Sequence, residues 1–101
     1  MTVMPTRHKK TEAKKVERNF VITNKLGLHA RPAALFVQTA NRFESLVEIC
    51  KDDLKADGKS IMGIMTLAAE VGSPIVIRAT GKDAEEAVEA LAKLIESNFG
   101  E

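Results

Sequence analysis

The sequence predicts an α+β domain in which helices pack on one face of a mostly antiparallel sheet. Three observations predict it. The segments run in the order β-α-β-β-α-β-α. Two of the helical segments carry a one-sided apolar stripe. The strand segments alternate apolar and polar residues, so each has one wet face. A helical layer over one sheet face buries all of these stripes together.

Phe20-Val21-Ile22-Thr23 is β-branched and aromatic and reads as the first strand. Asn24 to His29 is a loop containing Gly27. Ala30 to Asn41 reads as a helix, with Ala34, Leu35, Phe36, Val37 and Ala40 near the 3.6-residue period. Leu46 to Lys51 is a half-buried strand, with Val47 and Ile49 on one face and Glu48 on the other. Asp52-Asp53 turns the chain into a short return strand, Leu54 to Ala56, which Asp57-Gly58 ends.

Ser60 to Leu67 reads as a short helix that the Ser60 hydroxyl can cap. Ile61, Ile64 and Met65 are spaced as its core face, and Met62 falls off that face. After the break at Gly72-Ser73-Pro74, the fourth strand runs from Pro74 to Thr80, with Ile75, Ile77 and Ala79 facing one way. Asp83 is the expected cap of the last helix, with Glu86 completing a capping box. Ala84, Ala87, Val88, Leu91, Leu94 and Ile95 form its apolar face, and Gly100 is the expected stop.

The 101 residues suit one domain, and 45% hydrophobic with 29% charged residues is ordinary for a globular chain. No apolar run approaches the ~20 residues that cross a bilayer, and the polar start has no signal-peptide core. Cys50 is the single cysteine, so no internal disulfide forms, which suits a cytoplasmic location. Cys50 itself reads as a small, partly buried hydrophobe.

The net charge of +1 is unevenly spread. Residues 1–19 hold Arg7, Lys9, Lys10, Lys14, Lys15 and Arg18 against Glu12 and Glu17, a net +4. They read as a basic N-terminal extension. Residues 20–101 form the domain and are mildly acidic, which argues against direct nucleic-acid binding.

Gly27-Leu28-His29-Ala30-Arg31-Pro32-Ala33 carries the most chemistry. Pro32 sits in the first helical turn, where its missing N–H costs nothing. His29 stands at the helix start, where free N–H groups favour anions, phosphate above all. Arg31 adds a planar cationic fork. A neutral imidazole is a nucleophile, so this is the arrangement a transient phosphohistidine needs. Metal binding is not expected, because His8 is the other histidine and no ligand lies at metal spacing from His29. Gly58-Lys59-Ser60 lacks the second glycine of a nucleotide-binding loop, since position 53 is Asp53.

Together, Gly27-Leu28-His29-Ala30-Arg31-Pro32-Ala33 and Lys59-Ser60-Ile61-Met62-Gly63-Ile64-Met65 resemble the two signatures of the HPr family, the histidine-containing phosphocarriers of the bacterial phosphoenolpyruvate:sugar phosphotransferase system. The similarity runs from about Phe20 to Gly100. It implies an open-faced β-sandwich, a four-stranded antiparallel sheet with three helices on one face.

The resemblance also implies a function. His29 would take a phosphoryl group on Nδ1 from enzyme I and pass it to the A components of sugar permeases, and Arg31 would contact the phosphate. Ser60 would be phosphorylated from ATP by HPr kinase/phosphorylase, with a transcription regulator as a further partner. Ile61, Met62 and Met65 would belong to the docking patch. Such a chain is a cytoplasmic, monomeric carrier without cofactor or membrane insertion, and not itself an enzyme. The competing expectation is a regulatory interaction module of the catabolite-repression or nitrogen-type branch. Some relatives have lost the histidine and only regulate; this chain retains His29.

Overall fold

The computed structural model describes residues 14–101. Four strands, β1 (Lys15–Val21), β2 (Leu46–Lys51), β3 (Leu54–Asp57) and β4 (Pro74–Thr80), form one sheet in the order β1-β4-β2-β3. Every neighbouring pair is antiparallel. Three helices, α1 (Ala30–Ala40), α2 (Ile61–Thr66) and α3 (Ala84–Glu96), complete the β-α-β-β-α-β-α order, and a 3₁₀ turn follows at Asn98–Gly100. This is the expected open-faced α+β sandwich.

The alternation in the strands decides which face the helices cover. Val47, Ile49, Ile75, Ile77 and Ala79 are buried and meet Phe36, Val37, Val88, Leu91 and Ile95 from the helices. A fully buried Phe, Ile or Leu contributes roughly 1.5–3 kcal/mol by leaving water, so this aliphatic layer carries the fold. The other sheet face is wet, and a row of charges crosses all four strands on it. Glu17 on β1 pairs with Arg78 on β4; Arg78 Nη1 lies 3.4 Å from Glu48 Oε1 on β2; Glu48 Oε2 lies 3.6 Å from Lys55 Nζ on β3.

The first strand begins at Lys15, five residues before the expected Phe20, and Thr23 lies outside it. The register pairs Lys15 with Thr80 and Val21 with Pro74. Three of the charges that read as an extension make surface ion pairs in or beside this strand: Glu17 with Arg78, Arg18 with Glu89 at 3.2 Å, and Lys14 with Glu85 at 3.7 Å. Of this strand, Val16 and Phe20 pack against the core, too sparse a signal beside the charges of Lys14, Lys15, Glu17 and Arg18. The rest of the expected extension, residues 1–13, lies outside the described residues.

Three further expectations are corrected. Asp83 stands at the start of α3 but makes no capping-box bond. Its carboxylate instead accepts from the N–H groups of Glu44 and Ser45, at 2.9 and 3.0 Å, and from the Ser45 hydroxyl. Of the three residues spaced as the α2 core face, Ile64 alone is buried; Ile61 and Met65 are exposed beside Met62. A six-residue helix has too few turns to sink a whole stripe. Finally, α3 stops at Glu96, not at Gly100. Asn98 and Phe99 take left-handed backbone angles, φ +55° and +57°, and turn the chain back. Such angles are strained for a phenylalanine. Burial of the Phe99 ring, 3% exposed, holds them.

Candidate functional site

His29 is the N-cap of α1, with extended backbone angles, and its side chain makes no capping bond. The ring is therefore free to point outward, and it is about one-third exposed. The Ala33 N–H already bonds the His29 carbonyl at 3.0 Å. Pro32 has no N–H, so the N–H groups of Ala30 and Arg31 are the ones that the helix itself leaves unpaired. Arg31, two-thirds exposed, projects from the same turn. The first turn thus offers a ring nitrogen, two backbone donors and a guanidinium to one small anion.

The loop before α1 is held tightly. Gly27 N–H bonds Asn24 O at 3.1 Å, and Leu28 N–H bonds Ala69 O at 2.9 Å. Gly27 has φ +70°, and a Cβ there would lie 2.4 Å from Ala69 O. Only glycine fits so close an approach. Ala69 lies just beyond α2, so these contacts join the two sequence signatures, the His29 loop and the Ser60 helix.

Glu101, which no sequence motif singles out, lies against both His29 and Arg31. Its Oε2 lies 3.2 Å from His29 Nε2 and 3.4 Å from Arg31 Nη2. Its Oε1 lies 3.3 Å from Asn24 Nδ2, which also donates to Gly27 O at 2.7 Å. A carboxylate can only accept, so the contact to Nε2 requires the hydrogen on Nε2. In the neutral ring this leaves the lone pair on Nδ1. Glu101 reaches the site because the left-handed turn at Asn98 and Phe99 folds the chain back, with the Thr23 hydroxyl bonded to Asn98. No local pattern signals a contact across 72 residues.

Ser60 is the N-cap of α2, and its hydroxyl oxygen accepts from the Gly63 N–H at 2.9 Å. Ile61, Met62 and Met65 form an exposed apolar patch beside it, with Met62 the most exposed at 72%. Lys59 turns away from this patch and donates to the Phe43 carbonyl at 2.8 Å. Cys50 is half-buried on β2. Among the described residues, no group of three or more His, Cys, Asp or Glu side chains could hold a metal ion, and no helix is long and apolar enough to cross a membrane.

The comparisons with known proteins agree with this geometry. A family model described as the PTS HPr component phosphorylation site matches residues 16–97. The chain belongs to the PTS-HPr family. It is 48% identical over 86 residues to the phosphocarrier protein HPr of Neisseria meningitidis, covering 85% of this chain and 97% of that protein. It is 53% identical over 81 residues to the HPr-like protein Crh of Halalkalibacterium halodurans, covering 80% and 96%. A crystal structure of HPr from Thermoanaerobacter tengcongensis superposes with a TM-score of 0.83, at 55% identity, covering 85% of this chain and 97% of that one. The match therefore reaches to within a residue of Lys15, the start of β1. HPr proteins are phosphocarriers of the phosphotransferase system, which agrees with the expectation of a carrier in place of an enzyme.

Proposed function

We propose that the chain accepts a phosphoryl group on Nδ1 of His29 from enzyme I, charged from phosphoenolpyruvate, and passes it to the A components of sugar permeases. The observation that carries this reading is the contact of His29 Nε2 with Glu101, which leaves Nδ1 as the nucleophile at an anion-favouring helix start. Attack of Nδ1 on phosphorus breaks the donor's phosphorus–nitrogen bond and forms a new one on His29. The ring then carries positive charge, and Glu101 and the phosphate share it. Arg31 and the free N–H groups of the first turn hold the phosphate oxygens. The His29 and Arg31 side chains are one-third and two-thirds exposed, which suits a carrier that serves several partners in turn. Ile61, Met62 and Met65 are the docking patch, and Met suits a surface that must fit different partners.

In this reading the domain works in the cytoplasm as a single chain. Ser60 is the regulatory position, phosphorylated from ATP by HPr kinase/phosphorylase, and the phosphorylated form has a transcription regulator as a further partner. The likeness to Crh favours a second reading, a mainly regulatory module. Retention of His29 beside Arg31 and Glu101 speaks for the carrier.

The test is incubation with enzyme I and labelled phosphoenolpyruvate. Acid-labile label on the wild type and none on a folded His29→Ala variant is the expected result. Acid-labile label that persists in the variant overturns the carrier reading.

A further inference from the structure

Asn24 is 3% exposed, yet among the described residues its Oδ1 has no hydrogen-bond partner. Burying an unpaired amide oxygen is costly, and an apolar side chain of similar size would avoid that cost. Packing therefore does not explain an asparagine here. Its amide nitrogen does, because it donates twice: to Gly27 O at 2.7 Å and to Glu101 Oε1 at 3.3 Å. The second bond leaves Glu101 Oε2 aimed at His29 Nε2, 3.2 Å away. Glu101 is otherwise the end of a turn held by Phe99 and Asn98; besides Asn24 and His29, its carboxylate meets the largely exposed Arg31 guanidinium, 3.4 Å from Oε2.

We infer that Asn24 is a positioning residue for phosphotransfer. It orients the Glu101 carboxylate so that the hydrogen of the neutral His29 ring stays on Nε2 and the lone pair stays on Nδ1. A carboxylate held in this way selects one tautomer, as the acidic partner of a histidine does in hydrolytic triads. The inference rests on the phosphocarrier reading, since Nδ1 must be the attacking atom for the tautomer to matter. Asn24 also closes the loop through Gly27 O, so the two roles must be separated by experiment.

Ring nitrogen chemical shifts of His29, read at a pH where the ring is neutral, report the tautomer directly. Wild type, Asn24→Ala, Glu101→Ala and the double variant form a cycle, with transfer from enzyme I measured in parallel. In each single variant the Nε2–H share should fall toward that of free imidazole. Transfer should slow about twofold to tenfold, the range for one ordinary hydrogen bond. In the double variant the Asn24 substitution should add nothing to either effect.

An unchanged tautomer in Asn24→Ala overturns the inference, as does a slowing that persists in full when Glu101 is already alanine, which would leave loop closure as the whole role. If Asn24→Ala does not fold, Glu101→Ala decides: a wild-type tautomer there overturns the inference. Wild-type label on His29 shows that the carrier reading stands whatever the cycle returns.

Discussion

The Asp83 carboxylate holds Ser45 by two bonds, one from its N–H at 3.0 Å and one from its hydroxyl. Asp83 opens α3 and Ser45 lies just before β2, so the pair ties the helical layer to the sheet. Ser45 is almost fully buried, and Gly81 packs so close to it that a Cβ there would lie 2.5 Å from its hydroxyl. The Ser45 hydroxyl first, and the Glu44 N–H next, hold the Asp83 carboxyl below its ordinary value of 3.8.

A lowered carboxylate value means that the folded state favours the charged form. The stability that Asp83 contributes is therefore present above 3.8, its ordinary value, and is lost as pH falls through the lower folded value. Asp83→Asn should lower the melting temperature at pH 7. It should also flatten the dependence of stability on pH in the acid range. Equal acid sensitivity of variant and wild type in denaturant titrations would show that other carboxylates dominate acid unfolding.

Arg31 is largely exposed, so its removal should leave folding intact while weakening phosphate contact. Arg31→Ala should slow phosphotransfer about tenfold, a charge-assisted hydrogen bond discounted for solvent exposure. Arg31→Lys should recover part of the rate, because a point charge lacks the planar fork. Rapid-quench transfer rates check this. A wild-type rate in Arg31→Ala would show that the backbone N–H groups suffice.

Gly27 is held at φ +70° against the Ala69 carbonyl. Gly27→Ala should cost at least about 1–3 kcal/mol, the range for a residue forced into a sparse backbone region, with the close contact added. Because Leu28 and His29 follow directly, the His29 amide resonance should also shift. Unfolding midpoints and an amide spectrum check both. A variant as stable as wild type would mean that the loop can move away from Ala69.

Ser60 caps α2 by accepting from Gly63. Aspartate caps equally well, so Ser60→Asp should keep the melting temperature near wild type, while Ser60→Ala should cost about 1 kcal/mol. The added charge lies beside Ile61 and Met62, so Ser60→Asp should accept phosphate from enzyme I more slowly. Unfolding of Ser60→Asp would contradict the cap, and an unchanged transfer rate would remove α2 from the docking surface.

The sequence alone determined the order of elements, the sheet face that is buried, and the helix start that bears His29, Arg31 and Pro32. These are local properties. Alternation marks the strands, the 3.6-residue period marks the helices, and a proline near a helix start marks its first turn. The cap at Ser60 was legible for the same reason, since donor and acceptor lie three residues apart.

Only the tertiary structure decided what is set by contacts far apart in the chain. The charges of Lys14 to Arg18 look like an extension until Glu85, Glu89 and Arg78 are brought opposite them. Asp83 looks like a helix cap until the loop at Ser45 arrives 38 residues away in sequence. Glu101 carries no local signal, and neither does the bond that Asn24 makes to it. Glu101 meets His29 and Asn24 because the buried Phe99 ring holds a left-handed turn that sends the chain back across the start of α1, and a turn of that kind is stable only where the core exists to receive the ring.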